Sequence, residues 1–446
     1  MSWLALMASC QSPKQVDTSG FQPNDPALLQ GSVKKLTDVI VYDIFSPPVA
    51  SRIYAYTSLA AYEAIRFDQP QQYASLMARL NGFDSVPQPQ AGKSYSFPLA
   101  GLKAFVTVAQ KITFSVDTLK AFEASWLEKY AALLDRDTYD RSVAFGEAVG
   151  KTVLARAAND NYKQTRGFAR YSTVREEGKW QPTQPDYADA IEPYWHAIRP
   201  LALDSARQCQ APQPIAFSLK KDSPYYRELT RVYEIGKNMT DEQKEIARFW
   251  DDNAFVSHHT GHATFATKKM TPGGHWMAIA TLAARQAKAD LPKTAQTYAL
   301  TAVALFDGFI SCWEEKYRSQ TVRPITVINE HLDQRWESFL QTPPFPEYTS
   351  GHGVISASAA TVLTHLYGSS FAFTDTSELE YGMGQRGFES FAAAAAEAAI
   401  SRLYGGIHYH NTCLKGADQG KQVGRNALQR VGLEKKAELA SALNKP

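Results

Sequence analysis

The stretch ALTAVALFDGFISCWEEKYRSQTVR, residues 299–323, decides the fold, because it is a long segment with helical periodicity and cations at its C-terminal end. Its apolar residues recur at the spacing of one broad helix face, and Pro324 is expected to stop the helix. That face contains Val303, Leu305, Phe306, Phe309, Ile310 and Trp313. Lys316 and Arg323 are seven residues apart, about two helical turns, so we predict that both side chains converge on one ligand. Alone, such a pair is typical of a solvated helix face.

A second segment combines three prolines with a helix start. Residues 343–352 read PPFPEYTSGH and precede a helix-forming run over Val354–Leu366. Ser350 therefore occupies the place of an N-cap residue. Free backbone N–H groups near Gly351 and the positive end of the helix dipole favour an anion there. Taken alone, the segment is equally typical of an ordinary cap followed by an incidental His352.

The third segment is an alanine-rich helix that ends close to a histidine. The run Phe391–Arg402 predicts helix because alanine has the highest helix propensity, and Gly405-Gly406 breaks it. His408 follows in a loop or at the start of the next helix, where a neutral imidazole could bond to an electrophilic centre. A histidine with a purely structural role is the simpler interpretation of this segment alone.

Together the segments give the order Lys-x6-Arg-Pro, Ser-Gly-His and Ser-Arg-x5-His. We predict that they surround one pocket for a tetrahedral or trigonal-bipyramidal oxyanion. The tripartite pattern resembles the signature shared by the vanadium-dependent haloperoxidases and the type 2 phosphatidic acid phosphatases. The motifs span Lys316 to His408, and a weaker likeness reaches back to Phe249-Trp250. The resemblance therefore covers roughly the last half of the chain.

The resemblance implies that five residues bind the oxyanion. Three cations would neutralise the equatorial oxygens of vanadate or of a transferring phosphoryl group: Lys316, Arg323 and Arg402. The backbone N–H of Gly351 and the hydroxyl of Ser350 would add hydrogen bonds. In the haloperoxidases the lysine would also polarise the bound peroxide.

The same resemblance gives the two histidines different tasks. His352 would exchange protons at the axial oxygen. His408 would be the axial ligand of vanadium, or the nucleophile if the centre is phosphorus. One pocket suits both chemistries, because the phosphoryl-transfer transition state is a five-coordinate oxyanion and vanadate adopts that geometry as a stable complex.

Two aromatic residues favour the haloperoxidases over the phosphatases. Trp313, three residues before Lys316, and Phe345, seven residues before His352, resemble the halide-side aromatic positions of fungal-type chloroperoxidases. As apolar walls they would exclude water and strengthen the electric field at the oxyanion. A place in the hydrophobic core is the commoner use of aromatic residues in such segments.

One position departs from the phosphatase pattern, which continues with an Asp four residues beyond the nucleophilic histidine. This chain has Thr412 there, which argues against efficient phosphatase action. The carboxylate partner of His408 is then open among Asp418, Asp251 and Asp252. The resemblance implies that Asp252 supports one of the anion-binding arginines, and a helix cap or an exposed acid is the alternative.

A separate group of histidines has spacings that would allow a zinc site on one helix face. Its members are His258, His259, His262 and His275. No Glu accompanies them in the metalloprotease arrangement, and Thr260-Gly261 weakens the helix. Lining of a substrate channel or plain packing is the preferred interpretation.

The composition is that of a large globular enzyme. The 446 residues are 44% apolar and 21% charged, which excludes a disordered chain and allows a sizeable core. The formal charge of +2, without a basic cluster interleaved with aromatic residues, argues against nucleic acid as a general partner. The resemblance implies hydrogen peroxide, a halide and a small-molecule substrate as partners.

Helical periodicity dominates the chain, and no alternating stretch predicts a convincing strand. We predict an all-α fold of two packed helical bundles, with the active site in the C-terminal bundle. The expected regions are a signal-like segment and linker over 1–25, an N-terminal helical region over 26–223 and a C-terminal vanadate- or phosphate-binding domain over 224–446. Residues 164–223 are rich in Pro, Tyr and Trp, so we expect an irregular connection that crosses the active site.

The first residues resemble the end of a bacterial lipoprotein signal. A short apolar run ends in small residues and Cys10, and a polar linker follows over Gln11–Gly20. We expect a lipid anchor at Cys10 and a periplasmic or outer-surface location. No other stretch approaches the ~20 apolar residues of a membrane span, which separates the chain from the integral-membrane lipid phosphatases.

The sequence therefore predicts a vanadium-dependent haloperoxidase that oxidises halide with hydrogen peroxide to hypohalous acid, with vanadate bound by His408. One alternative is a vanadium-free acid phosphatase that forms a phospho-histidine at the same residue. Another is a non-catalytic lipoprotein that binds an oxyanion. The binding protein is disfavoured, because capture of an anion alone needs no pair of opposed histidines.

Overall fold

The computed structural model describes residues 16–260 and 262–434, and helices account for most of its regular structure. Cys10, the expected lipid-anchor site, lies outside the described residues. The helices are α1 (Pro26–Tyr42), α2 (Pro47–Ile65), α3 (Phe97–Ile112), α4 (Val116–Leu133), α5 (Arg136–Ala158), α6 (Tyr162–Thr165), α7 (Pro224–Lys237), α8 (Asp241–Phe249), α9 (Pro272–Gln286), α10 (Leu291–Ser319), α11 (Pro324–His331), α12 (Gly351–Tyr367), α13 (Phe391–Tyr404) and α14 (His410–Arg430). The strands are β1 (Val256–Thr260), β2 (Ala263–Thr267), β3 (Phe373–Asp375) and β4 (Arg386–Phe388). The predicted all-α class of packed helical bundles is confirmed.

Helix α10 is the central element, and its side chains are buried on every face because α2 and α12 pack against it. Asp290 caps its start by accepting a hydrogen bond from the Lys293 N–H. The helix ends before Gln320, which has a left-handed backbone with φ of 54°. The sequence suggested that Pro324 stops α10, and this prediction was wrong. Pro324 is the first residue of α11, where proline is tolerated because that position needs no N–H donor.

The N-terminal helices are organised around α2, which is buried from Pro48 to Ile65. Helices α3 and α5 cover one part of α2, and α10 covers another. The largest apolar core contains residues from Leu29 to Val431 and so joins both predicted regions. Helix α7 begins at Pro224, at the proposed boundary, and the division into two domains stays a prediction.

Small residues bring α14 into close contact with α12. Gly416, Gly420 and Gly424 are spaced by four residues and share one face of α14. A Cβ at Gly420 would lie 2.1 Å from the Val354 carbonyl oxygen, and one at Gly416 would lie 2.8 Å from the Ser350 carbonyl oxygen. Only glycine permits this approach, which fixes the start of α12 against the helix that follows His408.

Between α6 and α7 the described helices include only a short 3₁₀ turn at Trp195–Ala197, and the role of this stretch as a connection between domains stays a prediction. It is nevertheless held firmly to the motif-bearing half. Consecutive N–H groups of residues 201–203 donate to the buried carboxylate of Asp307 at 2.6–2.8 Å. The Ile191 N–H donates to the Pro344 carbonyl oxygen at 3.0 Å. The connection thus brings Ile191 to the proline-rich segment before α12.

Two short antiparallel hairpins depart from the predicted absence of strands. His258 pairs with Phe265 in the first, and Asp375 pairs with Arg386 in the second. His258 and His259 are therefore consecutive strand residues that point to opposite faces. They do not share a helix face. Among the described residues, no helix combines the length and the apolar character needed to cross a lipid bilayer.

Candidate active site

Residues of the second and third sequence motifs line one cavity beside the start of α12, and Arg323 of the first motif contacts His408 of that lining. The cavity lining includes Gly351, His352, Arg402, His408, Trp313 and Phe345. The interior is about 70 Å³, several times the roughly 10–15 Å³ that one water molecule needs. Ile191 from the irregular connection also lines this space. The predicted meeting of distant segments around one small cavity is therefore present in the fold.

His408 lies in the loop between α13 and α14. Its Nδ1 is 2.8 Å from Glu347 Oε1, and its Nε2 is 3.1 Å from Arg323 Nη1. Burial and the nearby cations Arg323 and Lys316 lower the pKa of His408 well below its ordinary value. The imidazole is therefore neutral, and we assign its proton to Nδ1 because the carboxylate accepts there. Nε2 then carries the lone pair that could bind a ligand.

Glu347 is the carboxylate partner that the sequence left open. It also accepts hydrogen bonds from the Tyr409 N–H at 3.2 Å and the Thr412 hydroxyl at 3.1 Å. Burial raises the pKa of Glu347 to about 7, against the opposing influence of two neighbouring cations. These contacts fix the carboxylate, and with it the orientation of the His408 ring.

This partner corrects the earlier candidates, since the described hydrogen bonds of His408 involve none of Asp418, Asp251 and Asp252. Thr412 does not leave the histidine without a carboxylate. It donates to a carboxylate that comes from a different segment. The sequence contained a signal, because Glu347 is an acid in a proline-rich stretch five residues before His352.

Two buried arginines present unpaired N–H groups. Arg323 donates through Nε to the Phe345 carbonyl oxygen and through Nη1 to that of Ile407, but its Nη2 has no hydrogen-bond partner. Arg402 donates through Nη1 to the Trp250 carbonyl oxygen, and its Nε has no partner. A buried charged donor without an acceptor is costly. An anion bound between these groups would supply the acceptors.

Lys316 is completely buried, but its ammonium group is occupied by the protein itself. Nζ donates hydrogen bonds of 2.5–3.0 Å to three carbonyl oxygens, those of Pro346, Glu347 and Thr349. Burial lowers the pKa of Lys316 to about 7, yet three acceptors match the three protons of an ammonium group, so we assign the charged form. Lys316 and Arg323 do converge, since Lys316 Nζ lies 5.0 Å and Arg323 Cζ lies 5.2 Å from the centroid of the Phe345 ring. Direct contact of Lys316 with an oxyanion stays a prediction.

The start of α12 provides the predicted anion-binding turn. Ser350 is the N-cap residue and its Oγ accepts a hydrogen bond from the Gly353 N–H at 3.3 Å. A Cβ added to Gly351 would meet no atom within 4 Å, so the space beside this residue is open to the cavity. The first-turn N–H groups and the positive end of the helix dipole favour an anion in that space.

His352 follows in the first turn of α12 and lines the same cavity. Its Nε2 is 3.4 Å from Asp252 Oδ2. Burial and the charge of Arg402 lower the pKa of His352 to about 4. The imidazole is therefore neutral near pH 7 and able to accept a proton. The acid–base role stays a prediction, and the neutral form is the one that it requires.

Asp252 does not support an arginine as its main contact, which corrects the expectation. Its Oδ1 is 2.9 Å from Nδ1 of His275, and its Oδ2 faces His352. The acid close to Arg402 is Asp251, with Oδ1 3.9 Å from Nη2. Desolvation would raise the pKa of Asp252, but the charges and hydrogen bonds of the two histidines outweigh it and lower the pKa.

The remaining histidines do not form the zinc site that their spacing allowed. His258, His259 and His262 are exposed on the first hairpin, and His259 pairs with Asp186 at 2.6 Å. His275 is separate from them and completely buried. Within the described residues, the one cluster with the spacing of metal ligands consists of Asp252, His275 and Glu378.

Trp313 and Phe345 form an aromatic wall of the cavity, with ring centroids 4.9 Å apart. The Trp313 Nε1–H donates to the Ile191 carbonyl oxygen at 3.2 Å, which fixes the indole ring. Both rings face the cavity, so neither is only a core residue. Their halide-side role stays a prediction.

The residues of this site fit vanadate. A neutral histidine with an unprotonated Nε2, two unpaired guanidinium N–H groups and an open helix start are the donors and acceptor that a five-coordinate oxyanion needs. His408, Arg402 and Gly351 line one cavity in a bundle of helices, and Arg323 lies beside it in contact with His408. The fold and site therefore define the class of helical oxyanion-binding enzymes to which haloperoxidases and acid phosphatases belong.

Comparisons with known proteins select one branch of this class. Residues 296–433 match the family model of the VCPO second helical-bundle domain. The crystal structure of a bacterial vanadium-dependent iodoperoxidase is 42% identical, with a TM-score of 0.85 over 91% of this chain and 96% of that chain. The chain belongs to the vanadium-dependent haloperoxidase family, whose cofactor is vanadate.

More distant structures agree in fold. A bacterial vanadium-dependent chloroperoxidase in its holo form is 18% identical, with a TM-score of 0.67 over 87% of this chain and 93% of that chain. Its apo form gives 18% identity and a TM-score of 0.65 over 86% of this chain and 94% of that chain. No curated protein sequence matches the chain.

Proposed function

We propose that this protein is a vanadate-dependent haloperoxidase that oxidises iodide with hydrogen peroxide. The reaction converts H2O2, I⁻ and H⁺ into HOI and H2O, so each turnover consumes one proton. The observation that carries the proposal is the neutral His408, with its Nε2 lone pair beside the unpaired donors of Arg323 and Arg402. Bound vanadate would supply a Lewis-acidic centre that activates peroxide for the two-electron oxidation of the halide.

The chain's own residues would hold the cofactor in a defined orientation. His408 would bind vanadium through Nε2, because Glu347 keeps the ring proton on Nδ1. Nη2 of Arg323 and Nε of Arg402 would donate to vanadate oxygens, and the open start of α12 at Gly351 would add backbone N–H groups. The site would then combine one ligand bond with charge-assisted hydrogen bonds.

His352 would manage the protons of the reaction. As a neutral imidazole it would accept a proton from hydrogen peroxide when peroxide binds. It would return that proton to the departing hydroxide, which leaves as water. Its pKa of about 4 in the protein without cofactor suits the first step, and negative charge on a bound oxyanion would raise that pKa toward the value needed for the second.

The aromatic wall supports iodide as the halide. Trp313 and Phe345 give the cavity an apolar, polarisable side, which suits a large halide with a weakly held hydration shell. Iodide is also the most easily oxidised of the common halides. The relative that is 42% identical is itself described as an iodoperoxidase.

A halide-oxidation assay tests the proposal. Purified protein is reconstituted with orthovanadate, and peroxide-dependent formation of triiodide is followed by absorbance, with parallel bromide and chloride reactions containing a chlorinatable dione. We expect iodide oxidation that requires both vanadate and His408. Equal rates for His408→Ala and the unaltered protein, or no oxidation of any halide, would contradict the proposal.

One observation favours a second activity in the absence of vanadate. Thr412 stands where the phosphatase pattern has an Asp, but Glu347 supplies a carboxylate beside His408 instead. The chain therefore retains a histidine that a carboxylate orients and that could act as a nucleophile. An acid phosphatase would use His408 as nucleophile and His352 as leaving-group acid. Hydrolysis of p-nitrophenyl phosphate by vanadate-free protein, and its inhibition by vanadate, would establish this activity. Oxyanion binding without turnover in either assay would leave a binding protein.

A further inference from the structure

A chain of buried ionisable groups lies behind His352, on the side that faces Asp252. Asp252 Oδ1 is 2.9 Å from His275 Nδ1, and Asp375 Oδ2 is 2.9 Å from His275 Nε2. Glu378 Oε1 is 3.8 Å from the same Nδ1. These groups come from α9, from β3 and from the loops that follow α8 and β3. The proposed function uses His352, but it gives no task to the groups behind it.

The four groups behind His352 are all withdrawn from water. His275 and Asp375 have no exposed surface, and Asp252 and Glu378 are almost fully buried. The His275 ring stacks on Trp250, with ring centroids 4.6 Å apart. Because isolated buried charges are costly, a cationic imidazolium between two carboxylates is the arrangement that satisfies all three groups. Burial alone would lower the pKa of His275, but the two carboxylates raise it well above its ordinary value.

We propose that Asp252 and His275 are positioning residues, which hold His352 in the tautomer that carries its proton on Nε2 and presents Nδ1 to the cavity as the proton acceptor. The inference rests on the proposed function and deepens it at the same site. Asp252 Oδ2 lies 3.4 Å from His352 Nε2, and these two buried atoms have no other polar partner and do not yet form a hydrogen bond with each other. An anionic acceptor in that position stabilises an N–H group pointing toward it.

The other charged groups around His352 do not replace Asp252. Arg402 on α13 and His275 on α9 both lower the pKa of His352, but Arg402 is a donor of the oxyanion site and His275 pairs with two carboxylates. Lys269 lowers the pKa of Glu378, which lies beside His275. Of these neighbours only Asp252 offers an acceptor to Nε2. His275 would keep Asp252 ionised, and Asp375 would keep His275 protonated.

A bound divalent cation is the competing explanation, since ligand atoms of Asp252, His275 and Glu378 lie within 4.8 Å of one another. Both ring nitrogens of His275 are, however, at hydrogen-bond distance from carboxylate oxygens. A metal ligand would need a nitrogen without a proton at about 2.0–2.1 Å from the ion. Protons therefore account for the observed distances without a cation.

The state of the two rings is measurable in the protein without vanadate. Histidine labelled with ¹³C and ¹⁵N would be incorporated, and the NMR shifts of the ring nitrogens would be recorded near neutral pH, from about pH 6 to about pH 8. His275→Gln and His352→Gln assign the two spin systems. We expect His275 to carry protons on both nitrogens, and His352 to be neutral with its proton on Nε2. A proton on Nδ1 of His352, or an equal mixture of tautomers, would overturn the proposal.

Asp252→Asn tests the cause with nearly unchanged volume. We expect His352 to lose its single tautomer, while Asp186→Asn, which removes the carboxylate partner of exposed His259, should alter the His259 signal and leave His352 unchanged. With vanadate bound, Asp252→Asn should lower kcat for iodide oxidation by roughly 10- to 100-fold and leave KM for peroxide nearly unchanged. An unchanged tautomer and unchanged kcat would refute the positioning role.

Two further readouts keep the proposal separate from its alternatives. If Asp252→Asn does not fold, the ring-nitrogen measurement on the unaltered protein still decides the tautomer. Elemental analysis that finds a stoichiometric divalent metal, lost in His275→Gln, would overturn the proton-based arrangement. Because the ring measurement needs no turnover, a fixed Nε2–H tautomer in a protein that oxidises no halide would support this inference and contradict only the proposed function.

Discussion

His408 and His275 are both buried, and each directs Nδ1 at a carboxylate, 2.8 Å from Glu347 and 2.9 Å from Asp252. Their second nitrogens face opposite charges. His408 Nε2 lies 3.1 Å from the Arg323 guanidinium, whereas His275 Nε2 lies 2.9 Å from an aspartate. The pKa of His408 is therefore lowered by burial and cations, and the pKa of His275 is raised by its two carboxylates. A carboxylate at Nδ1 orients both rings, and the group at Nε2 decides their charge.

The two carboxylates also differ in pKa, each shifted in the direction opposite to that of its histidine. Burial raises the pKa of Glu347 to about 7, and it lowers the pKa of nearby Lys316 to the same value. The pKa of Asp252 is lowered, because two histidines outweigh its burial. The oxyanion side thus keeps a neutral imidazole ready to bind a ligand, and the opposite side keeps a charge pair that holds its neighbours in place.

Removal of His408 should give the largest effect, because it deletes the proposed vanadium ligand. We expect His408→Ala to lower vanadate-dependent iodide oxidation by roughly 10⁴-fold or more, the scale seen when a catalytic unit loses an essential member. Calorimetric titration with orthovanadate should show a matching loss of binding. The control is His410→Ala, two residues after His408, which removes a contact with Arg231. It should retain both the activity and the vanadate binding. Tight vanadate binding by His408→Ala would place the cofactor elsewhere.

His275→Gln should produce the next largest effect, and it should appear in stability. Removing the imidazolium leaves two buried carboxylates without their counter-charge, a change that costs roughly 3–5 kcal/mol when a buried ion pair is broken. Urea denaturation compares the free energy of unfolding of the variant with that of the unaltered protein. His365→Gln changes an exposed histidine of α12 and should cost little.

The pH dependence of that cost identifies the charge. The folded-state pKa of His275 is raised above its unfolded value near 6.5, so its stabilisation is complete below that pH and declines as pH rises through the folded-state pKa. The pKa values of Asp252 and Asp375 are lowered, so their part is lost only as pH falls below about 4. The cost of His275→Gln should therefore be greatest between these limits. A cost that grows as pH rises above 6.5 would show that His275 is neutral in the fold.

Glu347→Gln tests what the carboxylate at Nδ1 contributes to the other histidine. The amide keeps the volume of the side chain but removes the negative charge of the carboxylate. That carboxylate orients His408 and accepts hydrogen bonds from Tyr409 and Thr412. Loss of such a partner typically lowers metal affinity by about 10- to 100-fold, and we expect that decrease for vanadate in a calorimetric titration. Glu330→Gln, at an exposed glutamate, is the matched control. Unaltered vanadate affinity in Glu347→Gln would mean that His408 is oriented by other contacts.

The sequence predicted the helices from local patterns, whereas the meeting of the motifs was expected from their combination and from the resemblance to a known family. The periodicity of residues 299–323 specifies α10, and Ser350 before a helix-forming run specifies the cap of α12. The end of α10 was predicted wrongly, since Pro324 is compatible with either the end of one helix or the start of the next. Local rules therefore located the elements, and boundaries depended on which use of a residue the fold adopted.

The partners of the buried ionisable groups were not predictable, because they depend on tertiary packing. Glu347 reaches His408 across 61 positions of sequence, and Asp375 reaches His275 across 100. Spacing within one segment carries no information about such pairs. The residue types did carry some, since an acid such as Glu347 among prolines and apolar residues must find a partner when it is buried.

Thr412→Val should give the smallest effect, and it measures how finely Glu347 must be held. The substitution keeps the shape of the side chain and removes the hydroxyl that donates to Glu347 Oε2 at 3.1 Å. One lost hydrogen bond of this kind contributes about 1 kcal/mol, so vanadate affinity should fall by roughly fivefold at most. Thr412→Ser keeps the hydroxyl and should remain close to the unaltered protein. If Thr412→Val weakened vanadate binding as strongly as Glu347→Gln, the hydroxyl would be required for the orientation of the carboxylate, and a single bond would determine the ligand-binding state of His408.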